Sequence, residues 1–148
     1  MLRFDRAELR DAPTILFEAK QRVRFQDVDA AGLVFFARYL DYVHDAYVAW
    51  LEAIGQPLAQ VLAQRTWAAP LRHAECDYLQ PVRFGDELRV LLVLSHLSLT
   101  EISLGFRLER TLGPTVALAQ TVHTFIDLTT LERRPVPAEI RSALGDAP

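Results

Sequence analysis

The chain holds a single cysteine, Cys76, in 148 residues. No internal disulfide can form, which suits a reducing cytoplasm, and the plainest use of that thiol is as a small buried hydrophobe on a strand. No apolar run approaches the roughly 18 residues that a bilayer span requires. The start, Met1-Leu2-Arg3-Phe4-Asp5-Arg6, brings acid early with no apolar segment behind it, unlike a secretory signal. No membrane partner is therefore expected. Basic excess is missing as well: the formal net charge is −3 and the basic residues are scattered, so nothing argues for nucleic acid. There is no Cys/His cluster with metal spacing, no glycine loop to cradle a phosphate and no G-x-S-x-G elbow. Neither a metal-dependent nor a serine-nucleophile hydrolase is in view, and no cofactor is expected. Repeats and low-complexity segments are also lacking.

What is present is a composition of 51% hydrophobic and 24% charged residues, which excludes disorder and is enough for one domain with a real core. Residues 1–18 show no clear period and read as an N-terminal arm; residues 19–145 read as the domain. Residues 20–26 alternate, as a first strand does. Over 38–54 the apolar side chains Leu40, Val43, Tyr47, Trp50, Leu51 and Ile54 keep helical spacing, with Gly55 and Pro57 as the stop. A short helix over 58–64 follows. Four strands are expected next, over 67–79, 86–96, 101–110 and 115–128. In 86–96, Leu88, Val90, Leu92 and Leu94 share a face; in 101–110, Ile102, Leu104, Phe106 and Leu108 do. Val116, Leu118, Val122, Ile126 and Leu128 do so in 115–128, and Gly113-Pro114 marks a turn. A short helix over 137–144 closes the chain. One long helix and about five mostly antiparallel strands define an α+β domain in which the helix must lie on the sheet.

The stretch Phe25-Gln26-Asp27-Val28-Asp29-Ala30-Ala31-Gly32-Leu33-Val34-Phe35-Phe36 carries the functional signal. It delivers carboxylates to the mouth of a helix whose first N–H groups have no partner, and such donors stabilise an anion or a developing oxyanion. An acid beside an oxyanion site is the minimum equipment for hydrolysing an acyl bond. Asp29 has a competing reading as an ordinary N-cap. Asp27, two positions earlier, is read as bonding the turn. Gly32 supplies a backbone shape, or a close approach, that a Cβ would forbid.

Asp27 to Phe36 resembles the D-T-D-x-x-G-x-V signature, followed by two aromatic positions, of 4-hydroxybenzoyl-CoA-type thioesterases, which are hotdog-fold enzymes. The resemblance continues through Tyr39, Asp77-Tyr78-Leu79-Gln80-Pro81, Gly85-Asp86 and Arg134-Pro135-Val136-Pro137, and so covers roughly residues 20–140. It implies a sheet wrapped around one long central helix, hydrolysis of acyl-CoA without metal or redox cofactor, and a homo-oligomer, dimer or tetramer, with active sites between subunits. By the same resemblance Asp29 is the catalytic carboxylate, as general base or as nucleophile, and the Phe36 backbone N–H is the oxyanion donor. Two positions depart from the pattern: Val28 replaces the usual threonine, and Phe36 stands where one bacterial subgroup places histidine.

Val43-His44-Asp45-Ala46-Tyr47 is similar to a Cys-His-Glu-Ala-Tyr string of the 1,4-dihydroxy-2-naphthoyl-CoA thioesterase subgroup. Pro70-Leu71-Arg72-His73-Ala74, Gly85-Asp86 and Gln120-Thr121-Val122-His123 resemble the same subgroup. That resemblance implies an aromatic acyl group and a place in menaquinone or phylloquinone synthesis. Phe35, Phe36, Tyr39 and Tyr47 would wall a fused ring, and His44, His73 and His123 would line the pocket; the competing reading has each histidine satisfied locally. Arg133 and Arg134 are the nearest basic pair for the CoA phosphates and read equally well as a solvated turn. The alternatives are a broad thioesterase for aliphatic acyl-CoA or acyl-carrier-protein thioesters, and a non-catalytic hotdog module that only binds acyl-CoA.

Overall fold

A computed structural model describes residues 1–145. A helix over Arg6–Asp11 (α1) precedes strand Phe17–Arg22 (β1) and a 3-10 turn at Phe25–Asp27. The long helix Phe36–Ala53 (α2) and the short Leu58–Gln64 (α3) follow. Four strands then run over Leu71–Tyr78 (β2), Glu87–Leu97 (β3), Glu101–Arg110 (β4) and Thr115–Thr124 (β5), before helix Ala138–Leu144 (α4). The sheet order is β1-β3-β4-β5-β2, and every pairing is antiparallel. Both α2 and the expected 58–64 helix form, and Gly55 ends α2 with φ +80°.

The inner face of the sheet holds α2. Tyr39, Tyr42, Val43, Ala46, Tyr47, Trp50 and Leu51 are buried along that helix, and Ile102, Leu104, Phe106 and Leu108 of β4 meet them as the alternation predicts. A β-bulge between Leu92 and Leu94 corrects the expected face of β3. Leu88, Val90 and Leu92 face the core, whereas Leu94 packs with Ala12, Leu91 and Val93 on the outer face.

The first strand lies earlier than its alternation over 20–26 suggests. β1 starts at Phe17, and the Asp27 carboxylate draws in the Arg24 N–H at 3.1 Å, so the backbone turns where extension was expected. The strand over 67–79 shortens to β2: Pro70 has no N–H to pair, and Ala68 makes only an isolated bridge with Ile126. β5 likewise stops at Thr124, because the Asp127 carboxylate takes the Thr129 and Thr130 N–H groups and bends the chain.

The arm is folded onto the outer face. Asp5 and Glu8 form a capping box at α1. The Phe4 N–H donates to Gln120 Oε1 at 2.8 Å, and Gln120 Nε2 donates to the Phe4 carbonyl at 2.9 Å. Ser103 donates to the Leu2 carbonyl, and Arg107 donates to the carbonyls of Arg10 and Ala12. Leu9 is buried over Gly105. The outer apolar residues of β5 are thus covered within one chain, so their pattern alone does not demand a second subunit. Among the described residues, the outer edges of β1 and β2 are left without a strand neighbour.

Candidate active site

Residues 23–36 form a loop anchored at its base. The Val23 N–H donates to the Asp86 carbonyl at 2.9 Å and the Gly85 N–H to the Val23 carbonyl at 3.2 Å. Asp86 accepts from the Arg83 N–H and pairs with Arg110. Inside the loop, Asp27 is fully buried and its carboxylate accepts from Arg24 N, Nε and Nη2 and from the Tyr42 hydroxyl, at 2.8–3.1 Å. Burial alone would raise its pKa, but the bonds from Arg24 and Tyr42 outweigh that and hold it below the ordinary carboxylate value. Burial, together with this bond to Asp27, pushes the Tyr42 hydroxyl far up. The Asp27 carbonyl accepts the Phe35 N–H at 2.9 Å. One residue therefore ties the start of the loop, its end and the second turn of α2, the structural role expected of it.

Asp29 lies in a small hairpin closed by the Val28–Val34 bridge. Its N–H donates to the Leu33 carbonyl at 2.8 Å, and its Oδ1 accepts from the N–H groups of Ala31 at 2.8 Å and Leu33 at 3.2 Å. This corrects the N-cap reading: the side chain caps its own loop, and the N-cap of α2 is Phe35, which offers no side-chain bond. The local bonds orient the exposed carboxylate while Oδ2 takes none of them, so one oxygen stays available. Gly32 adopts φ +78°, and a Cβ there would meet nothing within 4 Å. The hairpin needs its left-handed backbone here, and no protein neighbour presses on the missing side chain.

Phe36 opens an 18-residue helix with no capping side chain, and among the described residues its N–H finds no acceptor. That N–H, at the positive end of the helix dipole, is free to donate to a negatively charged group. Aromatic rings surround it. Phe35 and Phe36 lie 4.5 Å apart, both substantially exposed. Tyr78 donates to the Phe36 carbonyl at 3.1 Å and meets Tyr39 edge-on at 5.0 Å. Tyr78 and Tyr42 were not identified as site residues from sequence; Tyr78 sits inside a recognisable motif, but nothing local marks either one's partner.

The α2 stripe of Phe36, Leu40, Val43, His44 and Tyr47 continues from that donor into a cavity of about 70 Å³ walled by Leu71, Ala74, Thr121 and His123. A wider cavity of about 400 Å³ adjoins it, lined by Leu58, Leu62, Pro70 and Ile126 among others. His123 stacks on Tyr47 with ring centres 4.4 Å apart and planes 15° from parallel. Its Nδ1 lies 3.2 Å from the Ala69 carbonyl and its Nε2 lies 3.1 Å from the Thr121 hydroxyl. A carbonyl only accepts, so Nδ1 bears the proton and Nε2 accepts from Thr121. Burial lowers the His123 pKa to about 4, which keeps the ring neutral. His44 is exposed at the rim.

His73 does not join this group. A bulge after Leu71 sets His73 opposite Val122 on the outer face, where its Nε2 lies 2.9 Å from Glu75, while Ala74 takes the inward place opposite Thr121. Of the Arg133-Arg134 pair, Arg134 already donates to the Thr66 carbonyl, and neither residue belongs to the Phe36 stripe. Cys76 packs against the core, where burial pushes its thiol up to about 12.

A model of the thioesterase-like superfamily matches residues 23–144, beginning just after β1. The chain is 35% identical over 136 residues to the 1,4-dihydroxy-2-naphthoyl-CoA hydrolase of Thermosynechococcus vestitus, spanning 92% of this chain and 93% of that protein. It is 35% identical over 129 residues to the hydrolase of the same name from Synechococcus elongatus, spanning 86% and 94%. Among solved structures, the fold matches a 1,4-dihydroxy-2-naphthoyl-CoA thioesterase from Synechocystis with a TM-score of 0.82 and 30% identity, over 89% of this chain and 98% of that one.

Proposed function

The chain belongs to the thioesterase-like superfamily, and from that premise we propose that it hydrolyses an aromatic acyl-CoA, 1,4-dihydroxy-2-naphthoyl-CoA, in menaquinone or phylloquinone synthesis. The observation that carries the chemistry is the pairing of an oriented, accessible Asp29 carboxylate with the acceptor-free Phe36 N–H at the start of α2. The thioester oxygen docks on that N–H, which stabilises the negative charge as the carbonyl carbon becomes tetrahedral. Asp29 either takes a proton from the attacking water or attacks the carbon itself to give a mixed anhydride that water then opens. On both routes the C–S bond breaks, CoA leaves as the thiolate and the aryl acid is released. No metal or redox cofactor is needed for this sequence.

The acyl class follows from the walls of the site. Phe35, Phe36 and Tyr78 offer exposed rings at the donor with Tyr39 buried behind Tyr78, and Tyr47 stacked on His123 continues them along α2. Aromatic pairs add about 0.5–1.5 kcal/mol each beyond burial. The relatives named for the naphthoyl thioester support the same substrate. The enzyme acts in the cytoplasm as a homo-oligomer, assembled through the free edge of β2 so that a second subunit completes the site and supplies CoA contacts. Among the described residues, no helix is long and apolar enough to cross a membrane. A broader aliphatic thioesterase is the competing reading, favoured by the apolar lining of the 400 Å³ cavity. Hydrolysis rates for a panel of acyl-CoAs decide between them. The naphthoyl thioester should show the highest kcat/KM; equal or higher values for butyryl- or palmitoyl-CoA would sink the aromatic assignment, and no turnover of any thioester would leave a binding module.

A further inference from the structure

Two short segments meet beside the Asp29 hairpin: residues 22–25 at the end of β1 and residues 83–86 before β3. Backbone bonds from Val23 to Asp86 and from Gly85 to Val23 clamp them together. Phe25 and Phe84 meet edge-on across the clamp, with ring centres 5.9 Å apart and planes 84° from parallel. The two residues are 77% and 59% exposed, so this pair packs no core. In an edge-to-face pair the ring that offers its edge keeps both faces uncovered by its neighbour, which leaves a platform for a further flat group. Most cations of the corner are committed. Arg24 and Arg38 sit on Asp27, Arg110 pairs with Asp86, and Arg22 stands opposite Glu87 in the sheet register. Arg83 is exposed and bonds Asp86 only through its backbone N–H; its guanidinium has no hydrogen bond or ion pair with any described residue. An exposed aromatic pair beside an uncommitted guanidinium suits a flat base that carries phosphate.

We propose that this corner is the nucleotide subsite for CoA, with the Arg83 guanidinium pairing with the phosphates and the Phe25–Phe84 platform stacking the adenine. The assignment rests on the thioesterase reading above and names the chain's own contacts to the CoA tail, beside those of a second subunit. Arg83 bridges to Leu33, whose N–H donates to Asp29 Oδ1, and the next residue, Val34, donates its N–H to the Val82 carbonyl at 2.8 Å. Bridged residues lie about 5 Å apart and three residues span at most ~11 Å, so the Cα atoms of Arg83 and Phe36 are within ~16 Å of each other. In CoA about twelve bonds separate the sulfur from the first phosphate ester oxygen, the length of four extended residues or ~14 Å. A thioester held at Phe36 therefore brings its phosphates within reach of Arg83, and the adenine beyond them within reach of Phe25 and Phe84. The planar guanidinium matches phosphate oxygens two at a time. Because the formal net charge of −3 repels an anionic substrate at long range, a local cation has to supply the attraction.

The test places the acyl group that turns over fastest on three carriers: CoA, 4′-phosphopantetheine, and N-acetylcysteamine, which has neither phosphate nor base. Arg83→Gln should lower kcat/KM on the CoA thioester about 5- to 30-fold, almost wholly through KM, and leave the N-acetylcysteamine thioester within about twofold. Phe84→Ala should lower kcat/KM on the CoA thioester about 5- to 30-fold yet spare the phosphopantetheine thioester, which has no adenine. Should Phe84→Ala fail to fold, Phe25→Ala is read in the same way. An unchanged kcat/KM on the CoA thioester in Arg83→Gln overturns the proposal, as does an equal loss on all three carriers, which would assign Arg83 to the fold. Calorimetric titration of CoA itself reads the subsite without turnover: Kd should rise by similar factors in both variants, and a Kd that stays put refutes the contact. A protein that hydrolyses none of the thioesters, yet binds CoA through Arg83 and Phe84, would remove the thioesterase reading and leave the nucleotide subsite standing.

Discussion

Replacing Asp29 by asparagine isolates basicity from structure. In the hairpin, Oδ1 holds the Ala31 and Leu33 N–H groups, and the asparagine amide oxygen can hold both in the same place. Its NH₂ then occupies the position of Oδ2, turning the open side of the group from an acceptor into a donor. The loop keeps its bonds, so unfolding free energy should move by less than about 0.5 kcal/mol. The negative charge and the lone pair that drive attack on the thioester are gone, and kcat should fall about 10²–10⁴-fold, roughly 3–5 kcal/mol of transition-state stabilisation. Asp27→Asn, two residues away, is the control. That carboxylate is buried and takes four donors, each charge-assisted bond contributing about 1.5–3 kcal/mol, so its loss should appear first as a melting temperature lowered by several degrees. The assay is CoA thiol release under saturating naphthoyl thioester, alongside a thermal melt of each variant. Asp29→Asn turning over near the wild-type rate, or melting as early as Asp27→Asn, would refute the division of labour between the two aspartates.

Two further outcomes follow from the same structure. His123 titrates near 4 in the fold against an ordinary 6.5, so as pH falls the unfolded chain takes up the proton first. Its contribution should be intact above pH 6.5 and lost on the way to 4, on the order of 3 kcal/mol, in a window above that of the depressed carboxylates Asp27 and Glu101. Urea midpoints at pH 7 and 5 measure it, and a His123→Gln protein whose midpoints fall as steeply as wild type would show the attribution to be wrong. At Gly105, a Cβ would come within 2.5 Å of Leu9 Cδ2, 3.1 Å of Leu94 Cβ and 3.2 Å of Phe4 Cδ2. Gly105→Val should therefore lift the arm, costing about 1–3 kcal/mol and opening Arg3, Arg6 and Arg10 to trypsin while the sheet survives; unchanged resistance to cleavage would mean that the arm repacks around the side chain.

The features legible in the sequence are those whose cause is local. α2 and β4 each set their large apolar side chains on one face and small or polar ones on the other, so their periods of 3.6 and 2 are plain in the sequence. Asp29, Gly32 and Phe36 are legible because a hairpin, a left-handed backbone and a helix start lie within eight residues of one another. What local pattern cannot carry is which face of a strand meets the helix when both faces are covered. β5 is buried throughout: α2 covers Ala117, Ala119 and His123, while the N-terminal arm covers Leu118 and Gln120. The arm thereby erases the polarity difference that would have told His123 from Val122. The same ambiguity passes to β2, where a one-residue bulge decides whether His73 or Ala74 looks inward. It also hides the contacts that hold the loop over residues 23–36, since Asp27 finds Tyr42 across 15 residues and Phe36 finds Tyr78 across 42.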